Sequence, residues 1–106
     1  MFSLTKEHIL AYLSSIKGEL AQDGITQIGL FGSYAKDKAD LASDIDIVIC
    51  SSKQFSENFS DFAGAIYIDE LAQKIRKQFK IQVDICDTFS MSEERKKHLL
   101  SEAIYV

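Results

Sequence analysis

Proline and tryptophan are absent from the 106 residues, and only two cysteines and five glycines are present. Without proline or a Gly/Ser-rich tract, nothing in the chain reads as a linker between domains. Cys50 and Cys86 are too few for a disulfide framework or a thiolate metal site, and suit packing as small apolar groups. No apolar run approaches the ~18 residues of a membrane span, and the N-terminal MFSLTKEH lacks an apolar signal core. A soluble, cytoplasmic protein with no membrane partner is expected. Positive charge is scarce as well, with 12 Lys and Arg against 16 Asp and Glu, a net charge of −4. Coating a nucleic acid needs clustered positive charge, so no direct nucleic-acid binding is expected. What remains is an ordinary globular composition, 46% hydrophobic and 26% charged. The length suits one domain, residues 1–106, with enough chain to bury a core.

Hydrophobic periodicity divides the chain into alternating elements. Ile9, Leu13, Ile16 and Leu20 share one face of a helix running from Thr5 to about Gln22, with Thr5 as N-cap and Asp23-Gly24 as its stop. Residues 27–31 form a short buried strand ending at Gly32-Ser33, and 34–42 a short helix or turn. Residues 44–50 form a second, β-branched strand. The polar stretch 51–59 reads as a loop. A long helix is predicted from about Ser60 to Phe79, burying Phe62, Ile68, Leu71, Ala72, Ile75 and Phe79. Lys74, Arg76 and Lys77 near its end complement the helix dipole. A third strand covers 81–86, and Ser90 with Glu93 resembles a capping box opening a helix to about Ser101. The order is αβαβαβα: an α/β (α+β) fold with a small mixed three-stranded sheet packed with helices.

The second strand opens with two aspartates, although Asp is depleted in strands. Side chains alternate across a strand, so Asp44, Asp46, Val48 and Cys50 share one face while Ile45, Ile47 and Ile49 face the core. In the third strand the same alternation leaves Gln82, Asp84 and Cys86 opposite the buried Ile81, Val83 and Ile85. If these strands are neighbours, three carboxylates converge. Two unit charges ~4 Å apart repel by about 4 kcal/mol at an effective dielectric of 20. A hard divalent cation relieves that repulsion: Mg²⁺ takes a few carboxylates together with substrate phosphates. The plainer reading of the pair Asp44/Asp46 is a solvated strand edge, with Asp84 elsewhere. Gly32-Ser33 bears on the choice, because a glycine after a strand and free N–H groups at a helix start suit phosphate, with Lys36 as a nearby cation. Taken alone, Gly-Ser is also an ordinary turn.

Spacing ties these features together. Gly32-Ser33, ten intervening residues, then Asp44-Ile45-Asp46 resembles the signature of the nucleotidyltransferase superfamily related to DNA polymerase β. Four fixed letters at fixed offsets arise by chance in roughly one chain per thousand. The stretches Ile28–Lys36 and Ser43–Ile47, and the terminal 101–106, are similar to the minimal nucleotidyltransferase (MNT) subgroup. The resemblance extends over nearly the whole chain. It implies a nucleotidyltransferase fold acting on MgATP or another nucleoside triphosphate, with two Mg²⁺ ions expected. Gly32, Ser33 and Lys36 would bind the nucleotide, while Asp44, Asp46 and Asp84 would be the catalytic, metal-binding carboxylates. One departure is that many members have Arg-Gly where this chain has Lys36-Asp37, and Asp37 brings a negative charge toward the phosphates.

The resemblance also implies a partner, because members of this subgroup are paired with an all-helical HEPN protein. In many pairs the HEPN member is a toxic ribonuclease and the minimal domain its antitoxin, which in some cases transfers AMP to a tyrosine hydroxyl of the toxin. The expected activity is therefore protein adenylylation. One alternative is a non-catalytic antitoxin that masks the toxin by stoichiometric binding, and another is transfer to a small-molecule acceptor. Segment 51–60 is read as a mobile surface loop or an acceptor-recognition loop. Tyr34 either stacks on a base or packs on the short helix. Asp87 could replace Asp84 if the strand register slips by one. His8 and His98 read as surface residues.

Overall fold

The computed structural model describes residues 4–106, with the side chains of Ser90 and Leu100 outside that description. Helix α1 spans Lys6–Gln22, followed by β1 Ile25–Phe31, α2 Gly32–Ala35, β2 Ile45–Ser51 and α3 Lys53–Asn58. Next come α4 Phe62–Phe79, β3 Val83–Asp87, a 3₁₀ turn at Thr88–Ser90, α5 Glu93–Glu102 and β4 Ile104–Tyr105. The sheet runs β3-β2-β1-β4; β2 and β3 are parallel, and β1 is antiparallel to β2 and β4. A parallel neighbour cannot be reached by a tight turn, so α4 makes the crossover from β2 to β3.

The core lies on one face of this sheet. Ile45, Ile47 and Ile49 are fully buried, and Ile28 and Leu30 pair with Ile49 and Ile47 from β1. Ile9, Leu13, Ile16 and Leu20 of α1 and Leu71 and Ile75 of α4 close the same cluster. Each such side chain contributes roughly 1.5–3 kcal/mol of burial. The α1 start also matches the sequence reading: Thr5 is the N-cap, and its backbone N–H donates to His8 Nδ1 at 3.3 Å. Thus His8 takes the position that Glu or Gln holds in a capping box.

Several expectations need correction. The sheet has four strands rather than three, because Ile104–Tyr105 adds an edge beside β1. Two residues are too short to show alternation, and Gly29 is what admits them. A Cβ at Gly29 would meet the Ile104 carbonyl oxygen at 2.8 Å. The expected loop at 51–59 contains α3, capped by Ser52, whose hydroxyl accepts from the Phe55 N–H at 3.4 Å. Phe55 is buried and stacks on Phe59, with ring centroids 5.1 Å apart. A six-residue helix anchored by one aromatic has no periodicity to detect.

Phe62, expected in the core, is 84% exposed: it is the first residue of α4, whose buried side is taken by Gly64, Leu71 and Ile75. The third strand starts at Val83 rather than Ile81, and the second at Ile45 rather than Asp44. Finally, α5 is capped by Ser92, which accepts from the Arg95 N–H at 3.3 Å, while Ser90 belongs to the preceding 3₁₀ turn.

Candidate active site

The second face of the sheet carries the carboxylates. In the parallel ladder Asp46 stands directly opposite Asp84, and adjacent strands are ~4.8 Å apart. The in-register pairing makes Asp84, not Asp87, the neighbour of Asp46. Asp46 is half-buried, while Asp84 and Asp44 are exposed. Burial lifts the Asp46 carboxyl above its ordinary pKa, and the negative charges of Asp84 and then Asp44 lift it further. Asp44 precedes β2, yet it lies close enough for its charge to be felt at Asp46. Moving along the strand, Val48 on this same face is fully buried. The open part of the face is therefore the end that carries the aspartates.

Gly32 closes the floor of that end. Phe31 pairs with Asp46, so the chain leaves β1 beside the Asp46 carboxylate. Gly32 turns there with φ +76°, a conformation that favours glycine. A Cβ at Gly32 would overlap the Asp46 carboxylate oxygen Oδ2 and approach its Cγ to 3.0 Å. The glycine and the aspartate of the motif thus occupy one volume, which is why their spacing carries more information than either alone. Ser33 follows, half-buried in the first turn of α2.

Two neighbouring charges are drawn elsewhere. Lys36 Nζ lies 3.2 Å from Glu102 Oε1, so this cation is held by the end of α5. The contact joins residues 66 apart in sequence, a separation that no local pattern reports. Asp37 pairs with Lys6 at 2.8 Å, toward the start of α1 and away from the carboxylates. Tyr34 is buried in the hydrophobic core, which favours packing over base stacking.

Cys86 shares the face of Asp84, and its thiol pKa is raised, chiefly by burial and then by Asp84. At neutral pH it lines the face as a protonated thiol and is no nucleophile. The Tyr105 phenol lies buried beside Cys50, and burial is the main cause of its pKa being pushed up to about 12. Asp87 sits at the opposite end of β3, where it accepts hydrogen bonds from Ser51 and from the Phe89 N–H. It is a structural carboxylate.

The donor set suits a hard cation, being all carboxylate oxygen. Among the described residues, however, no three His, Cys, Asp or Glu side chains are grouped so as to enclose a metal ion on their own. Asp46 and Asp84, with Asp44 beside them, match the habit of Mg²⁺, which uses one or two carboxylates and completes its shell with water and substrate phosphates.

Comparison with known proteins bears on this geometry. Residues 13–106 match the family model described as nucleotidyltransferase domain. A protein adenylyltransferase, MntA, of Thermococcus cleftensis is 30% identical over 107 residues, covering the whole of both chains. A solved structure of a candidate minimal nucleotidyltransferase superposes with a TM-score of 0.74 at 19% identity, covering 98% of each chain, which is a likeness of fold. A toxin–antitoxin crystal structure with AMP-PNP is 26% identical, with a TM-score of 0.64 over 87% of this chain and 69% of that one. The glycine turn against the paired aspartates, and a family match over most of the sequence, place this chain in the nucleotidyltransferase domain family.

Proposed function

We propose that this protein is an antitoxin that transfers AMP from MgATP to a hydroxyl, that of a tyrosine, on a partner HEPN ribonuclease toxin in the cytoplasm. The observation that carries the reading is the pairing of Asp46 with Asp84 directly above the Gly32 turn. Like charges at that spacing are unfavourable in the free protein, so the arrangement gains from a cation. The Thermococcus relative's designation as a protein adenylyltransferase, and the AMP-PNP in the toxin–antitoxin structure, support the same chemistry.

In this reading Asp44, Asp46 and Asp84 hold Mg²⁺, two ions by family resemblance. When bound, the metal supplies neutralisation of charge on the phosphates and on the departing pyrophosphate. Gly32 lets the nucleotide approach the backbone, and the N–H groups and Ser33 hydroxyl at the α2 start donate to its phosphates. The Asp84 carboxylate accepts the proton of the incoming hydroxyl. Lys36 assists phosphate binding only after leaving Glu102. The oxygen of the acceptor attacks the α-phosphorus, the bond to the β-phosphate oxygen breaks, and pyrophosphate leaves.

The decisive experiment is calorimetric titration of ATP in Mg²⁺ with the wild type and with Asp44→Asn/Asp46→Asn, followed by intact mass of the partner. Metal-dependent binding that the double variant loses, and a partner heavier by AMP units, are expected. If the double variant neutralises the toxin fully in cells, masking by stoichiometric binding replaces catalysis as the account.

A further inference from the structure

The charge balance of α4 changes along its length. Lys74 is neutralised by Glu19 of α1, 3.3 Å away. Beyond it, Arg76, Lys77 and Lys80 are exposed, and among the described residues no carboxylate lies within ion-pair distance of them. They line a groove of about 500 Å³ together with Gln73, Ile81 and Gln82. Three uncompensated cations at one place in a chain of net charge −4 form a local field opposite to the average. Complementing the helix dipole accounts for Arg76 and Lys77. It does not account for Lys80, which sits past the last turn at φ +61°, where glycine is the usual C-terminal residue.

Position gives the groove a role. The Gln82 carbonyl accepts from the Ile45 N–H at 2.9 Å, so the groove wall is bonded to the residue between Asp44 and Asp46. On the other side of Lys80 and Ile81 the surface continues into a larger cleft of about 1080 Å³, with Tyr12, Phe79 and a fully exposed Leu41 in its lining. A ligand lying across Lys80 would meet cations, then a cleft whose lining is largely apolar with Asp40 at one point, and the Gln82–Ile45 bond ties this surface to the strand that carries Asp46. A nucleic acid suits this poorly, since tracking a phosphate backbone needs an extended basic stripe rather than one short groove.

The geometry points to an acidic segment of the acceptor protein, bearing Asp or Glu beside apolar residues, as the occupant of this groove. The inference rests on the proposed protein adenylylation and deepens it: the groove docks the segment that brings the acceptor hydroxyl to the carboxylates. No covalent step is involved, and affinity comes from charge complementarity at the groove and apolar contact at the cleft.

The test uses the full chain and a fluorescent hexaglutamate peptide, followed by anisotropy at low salt. A single-stranded hexanucleotide and inorganic triphosphate serve as the competing probes. Two groove variants are compared, Arg76→Glu and Lys80→Gly. The second removes a charge while placing glycine in a left-handed position, so its thermal stability is expected to equal or exceed that of the wild type. The expected result is saturable hexaglutamate binding, weakened about threefold by Lys80→Gly and about tenfold by Arg76→Glu, with loss at high salt. Asp44→Asn/Asp46→Asn retains peptide binding, and both groove variants retain ATP binding. Failure of the nucleotide reading therefore shows in the ATP titration, and failure of this one in the peptide titration. Absence of hexaglutamate binding, equal binding by the groove variants, tighter binding of the hexanucleotide, or displacement of the peptide by triphosphate each overturns the proposal.

Discussion

Strands β2 and β3 meet in two different ways at their two ends, with the same residue type on β3. At one end Asp84 faces Asp46, whose pKa is raised by burial first and then by that second carboxylate. At the other end Asp87 stands opposite Ile49 and accepts from Ser51, from its hydroxyl at 2.6 Å and its backbone N–H at 3.2 Å. Only two residues, Ile85 and Cys86, lie between the two aspartates. One end satisfies its carboxylate within the protein, and the other leaves a charge conflict that a ligand can relieve. A carboxylate met by donors maintains the fold, whereas one met by another carboxylate is held ready for a cation.

That contrast can be broken from either side. The largest effect is expected from Asp44→Asn/Asp46→Asn, which removes the acidic end and lowers AMP transfer by about 10²-fold or more, read by radiolabel incorporation into the partner. Gly32→Ala comes next. Its methyl group collides with the Asp46 carboxylate and its φ is strained, so urea unfolding should show a loss of about 1–3 kcal/mol together with weakened ATP binding.

Asp87→Ala sharpens the comparison from the other end. It strands the Ser51 donors and the Phe89 N–H, costing about 1–2 kcal/mol in the same denaturation, while transfer per folded molecule stays near wild type. Loss of transfer without loss of stability would reverse the assignment of the two ends.

The smallest effect has the opposite sign. The Asp46 pKa is raised in the fold above the ordinary 3.8. The protonated form therefore stabilises the fold fully below the unfolded value, and this advantage is lost as pH rises through the folded one. At neutral pH, without metal, Asp46→Asn should raise Tm by about a degree or two, since Asp46 is only half-buried. The gain should vanish in acid, where both proteins are neutral at this position. Thermal scans across that pH range, with and without Mg²⁺, check it; added Mg²⁺ should raise the Tm of the wild type alone.

The parts of the fold that could be read in the sequence are those built on repetition. Ile9, Leu13, Ile16 and Leu20 recur at helical spacing, and they are the buried face of α1. Ile45, Ile47 and Ile49 alternate, and they are the centre of the core. Where burial depends on a single contact, pattern fails. Phe55 is buried by Phe59 and Tyr67 in a helix too short to be periodic, while Phe62 has the right spacing and faces solvent. β4 depends on the missing side chain of Gly29 on a different strand.

The candidate site divides along the same line. Alternation by itself determined that Asp46 shares a face with Val48 and Asp84 with Cys86, because the strand period of two is a property of the local backbone. Only the tertiary structure decided that β3 lies parallel to β2 with Asp84 opposite Asp46. It also decided that Gly32 packs under that pair, and that Lys36 and Asp37 are drawn away by Glu102 and Lys6. Each of these joins residues distant in the chain. Their distances are set by how the core packs around the crossover helix, and no local stretch of sequence contains them.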